Sequence, residues 1–426
     1  KRYSLAVLSL FAIAGIFYYQ TFDFSQKKAV IPFEVQSEVF GIVESINQKE
    51  RSQELRVKLE LPHSGKISVN APPYLYFRYG DSVKLQGTIK KLPEETAAYF
   101  LKDGILGRMS FPKIEKIKSG QGNFLKAKLL DFRGRILEIF KNNLPVEKAA
   151  LLSGITLGSR EGFSDDLKNK MSLTGTTHLV ALSGYNISVV ALAAGAAFGL
   201  YLSPSVSFYL TVLVIFLLVL MTGAEASAVR AAIMGIIVLL ANEVQRSFSL
   251  RNAIAIAAFL MVLYNPKVLV FDLGFQLSFL ALLGIVYLNP VLKKILKMED
   301  SGFFSWKRNL LTTLSAQLMV LPLLLGKFGI FSLTSLLANV LILEVVPLTM
   351  ALGFILASVG FLSGFLAKIV ALSVNLLLSY QLGVIDLFSK LKILIAVKTL
   401  NPAYFLLYYL ILFWFIVYYG REKNKI

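Results

Sequence analysis

The chain has 426 residues, of which 56% are hydrophobic and only 16% charged, and its mean hydropathy is +0.65. Soluble domains carry roughly a quarter charged residues, so an ordinary soluble enzyme and a disordered chain are both excluded, and the lack of cysteine excludes a disulfide scaffold, a thiolate zinc site, an iron–sulfur cluster and cysteine catalysis. The net charge of +18 reads either as loop charge that sets membrane topology or as affinity for a polyanion.

Residues 4–19 are uncharged and follow Lys1-Arg2. They read as a membrane helix or a signal peptide, and the lack of a clear small-residue cleavage site favours a retained helix within residues 1–24. Residues 25–120 change character. Val35–Ile46, Glu54–Leu61, Lys66–Val69 and Ser82–Lys90 alternate in period two, with Gly65, Gly80-Asp81 and Pro72-Pro73 as punctuation. About five short strands in this length predict a small closed β-barrel, for which the OB-fold is the natural candidate. Residues 27–119 carry 16 Lys and Arg against 11 Asp and Glu. Within them Tyr74, Tyr76, Phe77 and Tyr79 cluster beside Arg78 and Lys84, with Lys90 and Lys91 further on. Such a group could stack bases and track a phosphate backbone, although period-two burial would turn about half of the rings into the core.

Residues 121–145 hold an amphipathic helix. Leu125, Leu129, Phe132, Ile136 and Phe140 share one face, and Lys126, Lys128, Arg133, Arg135 and Lys141 the other. It lies on a membrane surface or packs against the barrel. Residues 146–426 form a multi-span region. Apolar runs at 176–200, 206–222, 226–243, 251–264, 268–288, 309–325, 331–360, 363–388 and 402–419 predict a polytopic helical bundle, with 331–360 long enough for two segments. Several runs are short or broken by Gly and Pro, the pattern of helices that line a cavity. Lys293, Lys294, Lys297, Lys307 and Arg308 place the 291–308 loop in the cytoplasm, and counting back through five spans puts residues 27–119 outside. For the C-terminus, the basic tail argues for inside and the span count for outside.

No G-x-x-x-x-G-K-[ST], H-E-x-x-H or G-x-S-x-G run occurs, and the chain has only two histidines, His63 and His178. No catalytic residue, metal site or cofactor is expected, and any transport must be powered by another protein. The polar residues inside apolar runs are the candidates for a conduit. In Thr174–Val190, His178, Ser183, Gly184 and Asn186 interrupt a span, with Gly184 permitting an unwound turn. His178 is either a lining group or a packing histidine bonded to a carbonyl. Glu225 and Arg230 lie near the start of another span, where Arg230 forms an ion pair or snorkels to the interface. Asp272 and Gln276 share a helix face, and Asp272 could pair with Arg230 or His178. Gln317, Lys327 and Asn339 complete the set, which is equally what a structural hydrogen-bond network would contain.

Four blocks resemble the ComEC family, the inner-membrane channels of bacterial DNA uptake. They are Leu151–Arg160 (LLSGITLGSR), Gly175–Val189 (GTTHLVALSGYNISV), Val229–Met234 (VRAAIM) through Asn252–Pro266, and Asp272–Gly284 (DLGFQLSFLALLG). Ala316–Asn339 adds a fifth, and Tyr79–Gly87 with Ala98–Gly107 resembles the family's OB-like domain. The usual S-G-L-H is Ser183-Gly184-Tyr185-Asn186 here, which puts a second histidine's role in doubt. The resemblance implies a multi-pass protein of the bacterial cytoplasmic membrane with an extracytoplasmic OB-like domain. It implies that the chain passes single-stranded DNA through the lipid bilayer during natural transformation. The implied partners are a cytoplasmic helicase or ATPase, or a single-strand-binding protein, and an extracytoplasmic DNA receptor. Without an H-x-H-x-D-H run, strand degradation falls to a separate nuclease or to a part beyond this chain. Arg230 and Lys327 are the cations that could face phosphates in the pore. Two other readings stand beside this one: a secondary transporter of a small anionic or amphipathic substrate, and a membrane-embedded enzyme using Glu225, Asp272 and His178.

Overall fold

Alternating apolar residues build a seven-stranded sheet. Its strands are β1 (Gln36–Gln48), β2 (Gln53–Leu59), β3 (Lys66–Ala71), β4 (Ser82–Thr88), β5 (Lys90–Lys91), β6 (Ile105–Ser110) and β7 (Lys113–Lys118). Among the described residues the strand order is β5-β6-β3-β2-β1-β4-β7. All pairs are antiparallel except β3 with β6. The long β1 pairs with both β2 and β4 and carries a bulge between Val43 and Ser45. Val39 and Val43 of β1, Val57 of β2, Ile67 and Val69 of β3, and Leu85 of β4 fill one core, each without solvent exposure. Full burial of such a side chain stabilises by roughly 1.5–3 kcal/mol. Gly41 is required where β1 crosses this core, because a β-carbon there would stand 2.7 Å from the Lys58 carbonyl oxygen of β2.

The chain is described here from a computed structural model, over residues 13–24, 29–48, 51–93, 97, 100–180, 184–245, 247–297, 306–391, 393–397 and 401–421. It divides into two units, Lys1–Gly134 with Ala255–Leu273 and Arg135–Ile254 with Gly274–Ile426. The first contains the sheet, helix α1 (13–24) and the segment around residues 263–273. Inside this unit the Tyr18 hydroxyl donates to the Leu263 carbonyl at 2.5 Å and Lys267 pairs with Asp23 at 2.8 Å. Asn265 donates to the Lys102 carbonyl at 2.8 Å, and Lys102 in turn pairs with Asp272 at 3.0 Å.

The amphipathic helix, α2 (Phe124–Asn143), divides its two halves between different surroundings. In its first turns Phe124, Leu125 and Phe132 remain exposed, and Lys126 reaches the Glu44 carbonyl at 3.4 Å. Burial there holds the Lys126 ammonium below the usual lysine range. In its last turns Ile136, Leu137 and Phe140 are buried.

The second unit is helical: α3 (Val146–Leu157), α4 (Asp165–Leu173), α5 (Gly184–Gly199), α6 (Pro204–Met221), α7 (Ala226–Glu243), α8 (Leu250–Tyr264, whose last ten residues belong to the first unit), α9 (Leu273–Ile295), α10 (Trp306–Phe328), α11 (Ser335–Leu343), α12 (Val346–Leu362), α13 (Gly364–Leu391) and α14 (Pro402–Arg421). Among the described residues six helices are long and apolar enough to cross a membrane, and the pair α11–α12, bent by 49° at its break, makes a seventh if counted as one span. The run predicted over 176–200 is not one helix, since a 3₁₀ turn at Thr177–Leu179 precedes α5. Ala149 to Leu157 of α3 are all buried, as expected of a short apolar helix enclosed by others. Small residues permit the close crossings. A β-carbon on Gly353 of α12 would meet Leu152 of α3 at 2.8 Å, and one on Gly284 of α9 would meet the Ser315 carbonyl oxygen of α10 at 2.5 Å. Gly284 also opens a π-helical stretch, Gly284–Leu288.

Candidate functional site

Residues 174–180 of the histidine block fold as a tight corner that follows α4. Thr174 ends α4, and its hydroxyl lies 2.8 Å from that of Thr176, both fully buried. Gly175 has φ 62°, and a β-carbon there would stand 2.5 Å from the Ser335 side chain of α11. Only glycine satisfies both demands. Ser335 accepts a hydrogen bond from Gln317 of α10 at 2.9 Å and donates to the Ser332 carbonyl at 2.6 Å. The corner, Gln317 and α11 are therefore brought together. His178 sits in the 3₁₀ turn, exposed, with Nδ1 at 3.1 Å from the Gly175 carbonyl, which is the carbonyl-bonded arrangement weighed from sequence. Ser183 lies outside the described residues. Asn339, one turn along α11 from Ser335, is buried, and its Oδ1 has no hydrogen-bond partner among the described residues.

Beyond the corner, Asn186 fixes the start of α5. Its side-chain amide donates to the Ile155 carbonyl of α3 at 2.9 Å. The first residue of α5, Gly184, lies against Arg230 of α7, and a β-carbon on it would stand 3.1 Å from the guanidinium Nη2. Arg230 is 9% exposed. Its Nη1 donates to the Ser278 carbonyl of α9 at 3.2 Å, and its guanidinium carbon lies 5.9 Å from the centre of the Phe279 ring. Its Nε is buried without a hydrogen-bond partner, and among the described residues no carboxylate pairs with it. Among the described residues Arg230 makes no ion pair, and its side chain is buried in the helical unit. Arg230 is the fifth residue of α7, and one carbonyl and one ring face partly offset the cost of burying its charge.

Other candidates are engaged elsewhere. Glu225 lies 3.9 Å from Arg160, in an exposed contact worth little. The pairing of Asp272 with Arg230 or His178 is not what forms. Asp272 meets Lys102, 170 residues away in the chain and in the first unit. Gln276 is half-buried on α9, and Lys327 is exposed near the end of α10. Among the described residues no group of three His, Asp or Glu side chains is placed to hold a metal ion. Sequence reasoning did not single out Gly175, since a glycine carries no chemical signature, and it noted Ser278 for its side chain whereas its backbone carbonyl makes the contact.

The aromatic group of the sheet unit divides by environment. Tyr74 is 80% exposed and Tyr76 72%, with the Arg78 guanidinium 5.4 Å above the Tyr76 ring. Phe77 turns into the core. Tyr79 is half-buried: its hydroxyl accepts from the Asn123 N–H at 3.1 Å, and the Lys126 ammonium lies 4.6 Å from its ring. Lys84 is held by Glu38 at 2.7 Å, and this hydrogen bond pushes the lysine pKa up and the carboxyl down. Lys90 and Lys91 are exposed on the end strand β5. The loop carrying Tyr74 and Tyr76 is anchored from beneath by fully buried Gln53, whose amide donates to the Pro72 carbonyl at 2.7 Å and also to that of Leu75. At the far end of the loop the Arg78 N–H donates to Asp81 at 2.8 Å. The open group is thus Tyr74, Tyr76 and Arg78.

A family model described as Competence protein matches residues 155–422, which span the corner, Arg230 and, among the described residues, the membrane-length helices. The chain belongs to the competence protein family. ComE operon protein 3 of Bacillus subtilis (strain 168) is 28% identical over 277 residues, 63% of this chain and 34% of that protein. The match thus spans about a third of the relative's length. No solved structure matches. The competence-family region includes Gly175, Asn186, Arg230 and Ser335, whereas the sheet unit's Tyr74, Tyr76 and Arg78 precede it.

Proposed function

We propose that the chain is a conduit, not an enzyme, that passes single-stranded DNA across the bacterial cytoplasmic membrane during natural transformation. The observation that carries this reading is the exposed Tyr74, Tyr76 and Arg78 group, held on a basic sheet in the same chain as competence-family membrane helices. Exposed rings beside a guanidinium suit unpaired bases and their phosphates, and a small-molecule carrier has no use for them. The strand order, with β1 pairing β2 and β4 and with β3 parallel to β6, supports an OB-like character for the sheet, which faces the outside in this proposal. Import of an anion into a cell with a negative interior costs about 2.3 kcal/mol per charge per 100 mV. The chain therefore works with a cytoplasmic motor or strand-coating protein, and an extracytoplasmic DNA receptor would deliver the strand to it.

The test is import of fluorescent double-stranded DNA into cells with and without the protein. Deletion is expected to leave the label outside the cytoplasmic membrane, and the wild-type chain to restore entry. Equal entry without the protein overturns the proposal and leaves transport of a small solute as the reading. The binding group is checked separately with the purified full chain in detergent. Stacking is worth about 1–3 kcal/mol per base, so the double change Tyr74→Ala and Tyr76→Ala is expected to lower affinity for an oligothymidylate by at least about tenfold. Both side chains are exposed, so thermal stability should stay the same. Unchanged affinity would remove the loop from the DNA path.

A further inference from the structure

We infer that α14 is a latch on a hinge in α10. Pro322 is the hinge, the hydroxyls of Tyr408 and Tyr409 are the latch, and when α14 swings away α10 bends at the proline. That this bend admits a DNA strand rests on the proposed conduit.

Proline has no N–H, and its ring crowds the carbonyl four residues before it. Pro322 lies inside the continuous helix Trp306–Phe328, so the Leu318 carbonyl has no helical donor there. Within a membrane a neighbouring helix must satisfy such a group. The Tyr408 hydroxyl of α14 donates to that carbonyl at 2.9 Å, and the Tyr409 hydroxyl donates to the next one, Met319, at 3.0 Å. Two adjacent tyrosines thus meet two adjacent carbonyls at the break in another helix.

The two sides of Pro322 are attached differently. Before it, Ser315 and Met319 lie against Gly284 of α9, and Gln317 bonds Ser335 of α11. After it, Gly326 leaves room for the Phe405 ring of α14, which a β-carbon there would strike. Phe405 is one turn before Tyr408 and Tyr409, so one face of α14 touches α10 on both sides of the proline and splints it. The strand Ile330–Ser332 that follows α10 pairs antiparallel with Leu394–Ala396, which precedes α14, and this pair is the pivot. No residue in the membrane-length stretch Ala403–Gly420 of α14 is buried. A peripheral helix of this kind can leave without opening a packed core.

Two measurements test the latch. The first is a double-mutant cycle on the thermal stability of the purified full chain. Tyr408→Phe removes a hydroxyl–carbonyl bond between membrane helices and is expected to lower the folded-to-unfolded ratio about threefold. Pro322→Ala returns an N–H to the Leu318 carbonyl, so in that background Tyr408→Phe should change almost nothing. An equal loss in both backgrounds overturns the inference. The second is import. The chain has no cysteine, so Gly326→Cys with Phe405→Cys supplies its sole pair of thiols, which a short bifunctional thiosulfonate joins through disulfides. The linked chain is expected to import no DNA, and reduction of the linker to restore import. Import by a fully linked chain at the unlinked level overturns the inference. If the cysteine pair does not import before linking, the cycle decides. Lack of import by the unmodified chain sinks the conduit reading and leaves the cycle in force.

Discussion

Gly284→Leu is expected to remove most of the folded protein from the membrane. A β-carbon at this position would stand 2.5 Å from the Ser315 carbonyl oxygen, 2.9 Å from the Met319 β-carbon and 3.1 Å from the Ser315 carbonyl carbon. Two of these three atoms are helix backbone, which cannot swing aside as a side-chain end can. Ser315 is fully buried and bonded to its own helix through the Leu311 carbonyl at 2.6 Å, so α10 has no slack there. Overpacking of a tight interior costs about 1–3 kcal/mol where neighbours can adjust, and a backbone collision belongs at or above the top of that range. Against a total stability of about 5–15 kcal/mol, such a loss is severe. Gly235 of α7 provides the contrast, because nothing lies within 4 Å of its β-position. Gly235→Leu should leave the membrane level unchanged. Quantifying both variants in membrane fractions, with thermal stability read by size-exclusion chromatography in detergent, checks the pair. Equal levels for the two would mean that α9 and α10 are not packed as described.

Asp272→Asn is expected to destabilise the first unit by about 3–5 kcal/mol, the usual cost of breaking a largely buried ion pair. Asp272 and Lys102 meet at 3.0 Å with side chains 10% and 20% exposed, so water replaces little of the lost interaction. Lys102 also offers its carbonyl to Asn265, and the nearby pair of Lys267 and Asp23 is likewise enclosed. Loss of one charge therefore strains a connected set of polar groups that joins residue 102, in the turn before β6, to the segment 265–272. The exchange Lys102→Asp with Asp272→Lys should recover a good part of the stability, which neither single change does. The readout is the melting temperature of the purified chain. If the exchange recovers nothing while both single changes are mild, the pair is an exposed contact of small worth.

Much of the architecture was legible because it repeats locally. Apolar runs of about 20 residues and period-two strands are patterns that neighbouring residues impose on one another, and the helices and β1 to β4 occur close to where those patterns lie. The sheet's edges were less legible. Strand β5 has two residues and β7 exposes nearly its whole length, so neither shows an alternating apolar face. The 3₁₀ turn before α5 was hidden within an apolar run, because only the Gly175 conformation and its contact with Ser335 reveal why the chain must bend there.

Sequence by itself determined that this is a membrane-helical chain with a basic sheet unit, which residues are chemically exceptional within apolar runs, and the family resemblance. Those properties depend on composition and on short-range spacing. Only the tertiary structure decided what each polar group meets. It turned Phe77 into the core while leaving Tyr76 outside, gave Asp272 to Lys102, and left Arg230 with a carbonyl, a ring face and the start of a helix instead of a carboxylate. The physical reason is that these contacts join residues tens to hundreds of positions apart. Their energies depend on distance and burial, and neither quantity exists until the chain has folded.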